Sequence, residues 1–162
     1  MELLEGTRTV EDIEQFLEEL QTLEKEYGTA IQAFDARYVV GREHLARAVE
    51  LARRANERGE SIARDLSVEI LLYAAGRRQI NQAFEMGISE GEQSMVVVVT
   101  GGDETAAASR VSDLLEPAET LESYEKSLVC EFFDITDREL AAVDGTIQDL
   151  VCERVALLVV EK

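Results

Sequence analysis

The stretch "SMVVVVTGG", residues 94 to 102, constrains the fold more than any other part of the chain. Met95 to Val99 are five apolar residues in a row, four of them valine, bounded by Gly101 and Gly102. A strand with one wet face would alternate apolar and polar side chains. An unbroken β-branched run reads instead as a buried interior strand. Two further segments complete a small sheet: "MELLEGTR" as a first strand and "TAIQAFDA" as a second.

The segments between the strands carry the helical period. Val10, Ile13, Phe16, Leu17, Leu20 and Leu23 recur at three- and four-residue spacing with Glu14, Glu18 and Glu19 opposite, which predicts an amphipathic helix through Tyr27. Thr9 and Asp12 offer its cap and first-turn acid, and Gly28 its end. A second helix starts near Gly41 or Arg42, with Leu45, Ala48, Val49 and Ala52 as its stripe. "LSVEILLYAAG" is apolar nearly all round from Leu66 to Ala75 and is placed as a central buried helix broken by Gly76. A short helix follows with Ile80, Ala83 and Phe84 facing in and Gly87 as terminator, and Tyr73 and Phe84 are expected in the core. Asp103 or Thr105 caps the next helix, which runs to Leu115 before Pro117, and further helices are expected at 120 to 132, 136 to 143 and 146 to 160. The order predicts a mixed α/β fold: one domain over 1–162, a small central sheet covered by helices, and a helical C-terminal part. Strand order does not follow from the sequence.

Charge bears on partners more than on fold. Of 162 residues, 34 are acidic and 16 basic, and the formal net charge is -18. The bases are 13 arginines and only three lysines (Lys25, Lys126, Lys162). An acid-rich, lysine-poor surface suits a salt-loaded cytoplasm, where salt screens carboxylate repulsion. The distribution is uneven. Residues 37 to 78 hold nine bases against six acids, a net of +3, whereas 1 to 36 carry -8, 79 to 90 carry -2 and 91 to 162 carry -11.

Several function classes find little support. No apolar run approaches the roughly 20 residues of a membrane span, and "MELLEGTRTV" has neither the basic nor the apolar region of a secretory signal, so a cytoplasmic protein is expected. Cys130 and Cys152 sit in no CxxC pattern and near no histidine cluster, so neither metal nor cofactor is expected. The single histidine, His44, has no partner at a catalytic or ligating spacing and reads as structural or partner-facing. "TGGDET" stands where a strand would meet a helix N-terminus, an anion site in principle. It lacks the phosphate-loop and dinucleotide patterns, and Asp103 and Glu104 would repel phosphate. A small-molecule-binding domain or enzyme using the Gly101-Gly102-Asp103 turn stays open as the alternative function.

Arg77, Arg78 and Gln79 stand together at a helix-opening turn. Each guanidinium is a planar fork of donors suited to phosphate or base edges. Ion pairs with carboxylates such as Glu69 or Glu85 are the plainer use for the two arginines.

The residues around them resemble a known family. Glu69-Ile70-Leu71, then Ala75-Gly76-Arg77-Arg78-Gln79-Ile80, then Ala83 and Gly87-Ile88 are similar to the signature of the small KEOPS subunit that binds that complex's atypical kinase, the TPRKB-like family. "IQAFDARYVVGREHLARAVELA", with its His44-Leu45 pair, and "CERVALL" resemble other parts of the same family. The resemblance implies a non-catalytic accessory subunit with two partners: the kinase-like ATPase subunit of KEOPS, and tRNA held by its single-stranded 3' CCA end. It would support threonylcarbamoyladenosine formation in tRNA, with another subunit transferring the group. On that implication Arg77, Arg78 and Gln79 are the tRNA candidates, and Arg42, Arg53, Arg54, Arg37 and Tyr38 are weaker ones in the basic window. Phosphate contacts lose affinity steeply with salt, by roughly a thousand- to a hundred-thousand-fold between about 50 and 200 mM when many are made. Base contacts through Gln79 therefore gain weight. For the kinase, the last helix is expected to dock: Val151, Val155, Leu157, Leu158, Val159 and Val160 are more apolar than one buried face needs, and Val151, Val155 and Leu158 are the residues named. The acidic body is expected to refuse duplex nucleic acid.

Overall fold

A computed structural model describes residues 1–142 and 145–161. Val143, the end of the helix expected at 136 to 143, lies outside the described residues. Four strands form one sheet in the order β2-β3-β1-β4: β1 (Glu2–Val10), β2 (Ala30–Asp35), β3 (Gly91–Thr100) and β4 (Glu116–Pro117). Every pairing is antiparallel. β3 runs the length of β1 from Glu2↔Val99 to Val10↔Gly91, and on its other side meets β2 from Ala30↔Thr100 to Asp35↔Met95. The valine run is thus the interior strand that its composition predicts.

Alternation along β3 divides the core in two. Met95, Val97 and Val99 pack with Phe16, Leu20 and Leu23 of α1 (Ile13–Tyr27) and Ala107 and Val111 of α5 (Glu104–Ser112). Val96 and Val98 face the opposite layer. That layer holds α2 (Arg42–Glu57), α3 (Leu66–Ala75) and α8 (Ile147–Glu161), with the short α6 (Lys126–Phe132) nearby. α4 (Ile80–Ala83) and α7 (Asp137–Ala142) complete the set. The fold is mixed α/β, a small sheet between helices with a helical C-terminal part.

Local chemistry explains the boundaries. Asp12 caps α1 by accepting the Gln15 amide at 3.2 Å, while Thr9 belongs to β1, which ends two residues later than expected. Asp103, not Thr105, caps α5 through the Ala106 amide at 3.3 Å. α5 ends at Ser112, short of the expected Leu115, because the chain must turn to place Glu116 and Pro117 beside β1. Pro117, which has no N–H, fits such an edge.

Two expectations about faces are corrected. Ile80 and Phe84 were expected to face in, yet they are 40% and 57% exposed, and only Ala83 and Met86 of this stretch are buried. α4 is a single turn that tightens into a 3-10 turn at Phe84–Met86, so the 3.6-residue period does not extend far enough to bury all three positions. Val151, Val155 and Leu158, named for docking, are wholly buried against α2 and α3 and have no surface to offer. The open side of α8 is Leu157, Val159 and Val160, the last 81% exposed.

Candidate nucleic-acid interface

The arginine turn is built by the end of α3. Gly76 takes the left-handed conformation at φ 62°, and the Gly76 and Arg77 amides bond back to the Tyr73 and Leu72 carbonyls at 3.1 Å each. A Cβ on Gly76 would sit 3.2 Å from the Arg154 carbonyl of α8, so the turn is pressed against that helix.

From this turn the two guanidiniums part. Arg77 is half-buried: Nη2 donates to the Phe132 carbonyl, and the guanidinium carbon lies 4.9 Å from the Phe132 ring centre. Arg154 grips the next two carbonyls of the same segment, Phe133 at 3.1 Å and Asp134 at 3.2 Å, and pairs with Glu139 at 2.7 Å. Arg77 therefore anchors the end of α6. Arg78 is exposed, and among the described residues its guanidinium makes no hydrogen bond or ion pair. With Gln79 it lines an open groove of about 390 Å3 closed on the other side by Glu60 and Ile62.

Neither carboxylate suggested as a partner is used that way. Glu69, buried on α3, accepts the Ile62 amide at 3.0 Å and the Ala63 amide at 2.8 Å, so it holds the α2–α3 loop beside the turn. Glu85 accepts the Tyr38 hydroxyl at 3.4 Å.

His44 aligns the end of α3. A carbonyl only accepts, so the 2.7 Å contact to the Ala74 oxygen places the ring proton on Nε2, and Nδ1 accepts the Val40 amide at 3.3 Å. Burial holds the imidazole neutral and lowers its pKa from 6.5 to about 4 against the raising effect of the Ala74 carbonyl. The ring also meets Phe133 edge-on at 5.7 Å, and Phe133 meets Phe132 at 5.0 Å. The sole histidine is structural, with both nitrogens in use.

The weaker tRNA candidates divide by location and by partner. The His44–Ala74 contact brings the first turn of α2, with the exposed Arg42, alongside the end of α3. Tyr38 is at the same end but buried, its ring edge-on to Phe132 at 5.5 Å, so it offers no face for stacking. Arg37 is held by Asp35 at 2.7 Å. Arg53 and Arg54 lie about 17 Å along α2 from Arg42. Arg53 donates to the Thr100 hydroxyl at 3.0 Å and Arg54 pairs with Glu50 at 2.9 Å. The side chains left to meet a ligand are thus Arg78, Gln79 and Arg42. Sequence reasoning passed over Asn81 and Gln82, which line a groove of about 680 Å3 beside Arg77 and Phe132. Two exposed amides next to the arginine signature were the available signal.

The alternative turn is closed by its own residues. Gly102 lies so near the carbonyls of Tyr27 and Gly28 that a Cβ would collide with them, and the Asp103 amide donates to Tyr27 at 3.0 Å. The Gly101 amide donates to Glu104 at 2.7 Å and the Ala106 amide to Asp103. The amides of Gly101, Asp103 and Ala106 thus already carry internal acceptors, two carboxylates and a carbonyl. Among the described residues no group of three His, Cys, Asp or Glu side chains is arranged to hold a metal, and no helix is long and apolar enough to cross a membrane.

Compared with known families, residues 7–158 match the family described as kinase binding protein CGI-121. No curated protein matches the chain.

Proposed function

We propose a function from one premise: the chain belongs to the CGI-121 family of kinase binding proteins. It acts as a non-catalytic KEOPS accessory subunit, one domain over 1–162 in the cytoplasm of a high-salt cell. One face docks on the complex's kinase-like ATPase subunit. Another recruits tRNA by its 3' CCA end, in support of threonylcarbamoyladenosine formation.

One observation carries the tRNA half: Arg78, on the turn that closes α3, is a cation with no internal partner among the described residues, in a chain of net charge -18. Holding an arginine free among 34 carboxylates makes sense if a ligand with phosphates or base edges takes the fork. Gln79 and Arg42 add donors at the same end of the α2–α3 pair. Gln79 makes neutral hydrogen bonds, which salt weakens far less than phosphate contacts.

The kinase half rests on the outer side of α8. Leu157, Val159 and Val160 are exposed on a helix whose inner side is already satisfied by Val151, Val155 and Leu158, so the apolar surplus expected from the sequence lies on the opposite side of α8 from the buried three. The docking test is calorimetric titration of the kinase subunit with Leu157→Glu and Val160→Glu. Because both sites are exposed, each variant should keep its melting temperature and lose at least about tenfold in affinity, the scale of a central interface residue. Unchanged affinity in both would move docking off α8.

A further inference from the structure

A groove of about 810 Å3 runs along β2 on the side away from β3. The sheet order leaves β2 at an edge, so this floor is backbone with no neighbouring strand among the described residues. In an antiparallel ladder a residue turns its N–H and C=O to the same side. The Ile31 amide donates to Glu24 at 3.0 Å and the Ala33 carbonyl accepts the Gln32 side-chain amide at 2.9 Å, which identifies Ile31 and Ala33 as the outward row. Their other groups, the Ile31 carbonyl and the Ala33 amide, face the groove. Glu24 and Gln32 occupy the positions a neighbouring strand would fill, and they keep the edge from pairing indiscriminately.

The walls suit a chain rather than solvent. Leu17 on α1 and Phe84 past α4 are two of the few large apolar side chains left exposed on the molecule, and both border this groove. One polar group beside the groove is also left unpaired. Thr29 lines the groove, is buried, and its hydroxyl has no hydrogen-bond partner among the described residues. Buried hydroxyls in native proteins are nearly always paired. The charge on the walls is acidic: Glu24 and Asp65 against Lys25. Burial raises the Glu24 carboxyl above its ordinary range, partly offset by its bonds to the Ile31 amide and Ser67, and the nearby Asp65 raises it further.

We propose that this groove takes an extended peptide segment of a partner protein, added as a strand beside β2. Its aliphatic side chains would lie on Leu17 and Phe84, and a lysine or arginine would lie over Glu24 and Asp65. Main-chain bonds to the open Ile31 carbonyl and Ala33 amide give affinity, with the peptide displacing Glu24 and Gln32 from the strand position, and the alternate side-chain positions give specificity. The site is separate from the arginine turn and does not depend on tRNA binding.

The test uses amide spectra of the full chain titrated with a short synthetic peptide of valines carrying one central arginine. Two controls accompany it: the same peptide N-methylated on alternate amides, and a version with glutamate for arginine. The first peptide should move the amides of 29–33 and 65–68, and both controls should bind at least about tenfold more weakly. Leu17→Gln and Phe84→Ser, at exposed positions that leave the fold intact, should weaken the first peptide by a similar factor. Equal binding of the N-methylated peptide would overturn strand addition. So would shifts outside the groove, or no shifts at all.

Discussion

Replacing His44 by glutamine tests the internal logic of the arginine turn, because one buried imidazole ties α2 to the end of α3. At pH 7 the variant keeps a donor for the Ala74 carbonyl but gives up the Nδ1 acceptor for the Val40 amide and the ring contact with Phe133. Leaving a buried amide without its acceptor costs about 1–3 kcal/mol. In a chain of this length that lowers the melting temperature by roughly 2–4 °C per kcal/mol. The pH dependence is more specific. In the unfolded chain His44 takes up a proton near pH 6.5, whereas in the folded protein burial delays it to about 4. Between those values protons favour the unfolded state. The stability due to neutral His44 is thus fully present above about pH 6.5 and is lost as pH falls to 4, a loss of about 3 kcal/mol. Glutamine does not titrate. The gap between wild type and His44→Gln should accordingly narrow, and can reverse, between pH 7 and 4, when both are melted in the same salt by circular dichroism. The many carboxylates titrate alike in both proteins and cancel in the difference. Parallel stability curves across that range would refute the buried neutral imidazole.

Two further substitutions separate scaffold from site. Gly76→Ala forces a side chain into the left-handed region and against the Arg154 carbonyl, and should cost about 1–2 kcal/mol, read as a lower urea midpoint; an unchanged midpoint would contradict the packing of this turn on α8. Arg77→Lys should cost about 1 kcal/mol of stability through the lost fork and Phe132 stacking while leaving tRNA affinity unchanged. Lower affinity at unchanged stability would make Arg77 a ligand contact instead of an anchor.

The parts of the fold that were legible in the sequence are those set by local chemistry. The valine run, the cap at Asp12 and the left-handed glycines 28 and 76 each state their structure within a few residues. What was not legible depends on distant partners. Strand order β2-β3-β1-β4 places β3 between two strands that precede it in the chain, and no local signal encodes that. β4 is two residues long and too short to carry a period. The inner and outer sides of α8 cannot be told apart by composition, because Val155 and Val160 differ only in what α2 and α3 cover.

The candidate site shows the same division. The pairing of Arg77 with Phe132 crosses 55 residues of sequence, so two adjacent arginines looked equivalent although one is an anchor and the other is open. Arg37, Arg53 and Arg54 looked available in the basic window but are already engaged by Asp35, Thr100 and Glu50. A charge count locates a basic region. Only the packing shows which of its cations are already engaged.

The central claim is that Arg78 receives the single-stranded tRNA end. Its most direct test is the affinity of the purified protein for mature tRNA and for the same tRNA trimmed of its CCA tail, in concentrated potassium chloride, with wild type and Arg78→Glu side by side. The account predicts binding that needs both the tail and Arg78. Equal binding to the two tRNAs, or no binding at any salt, would contradict it.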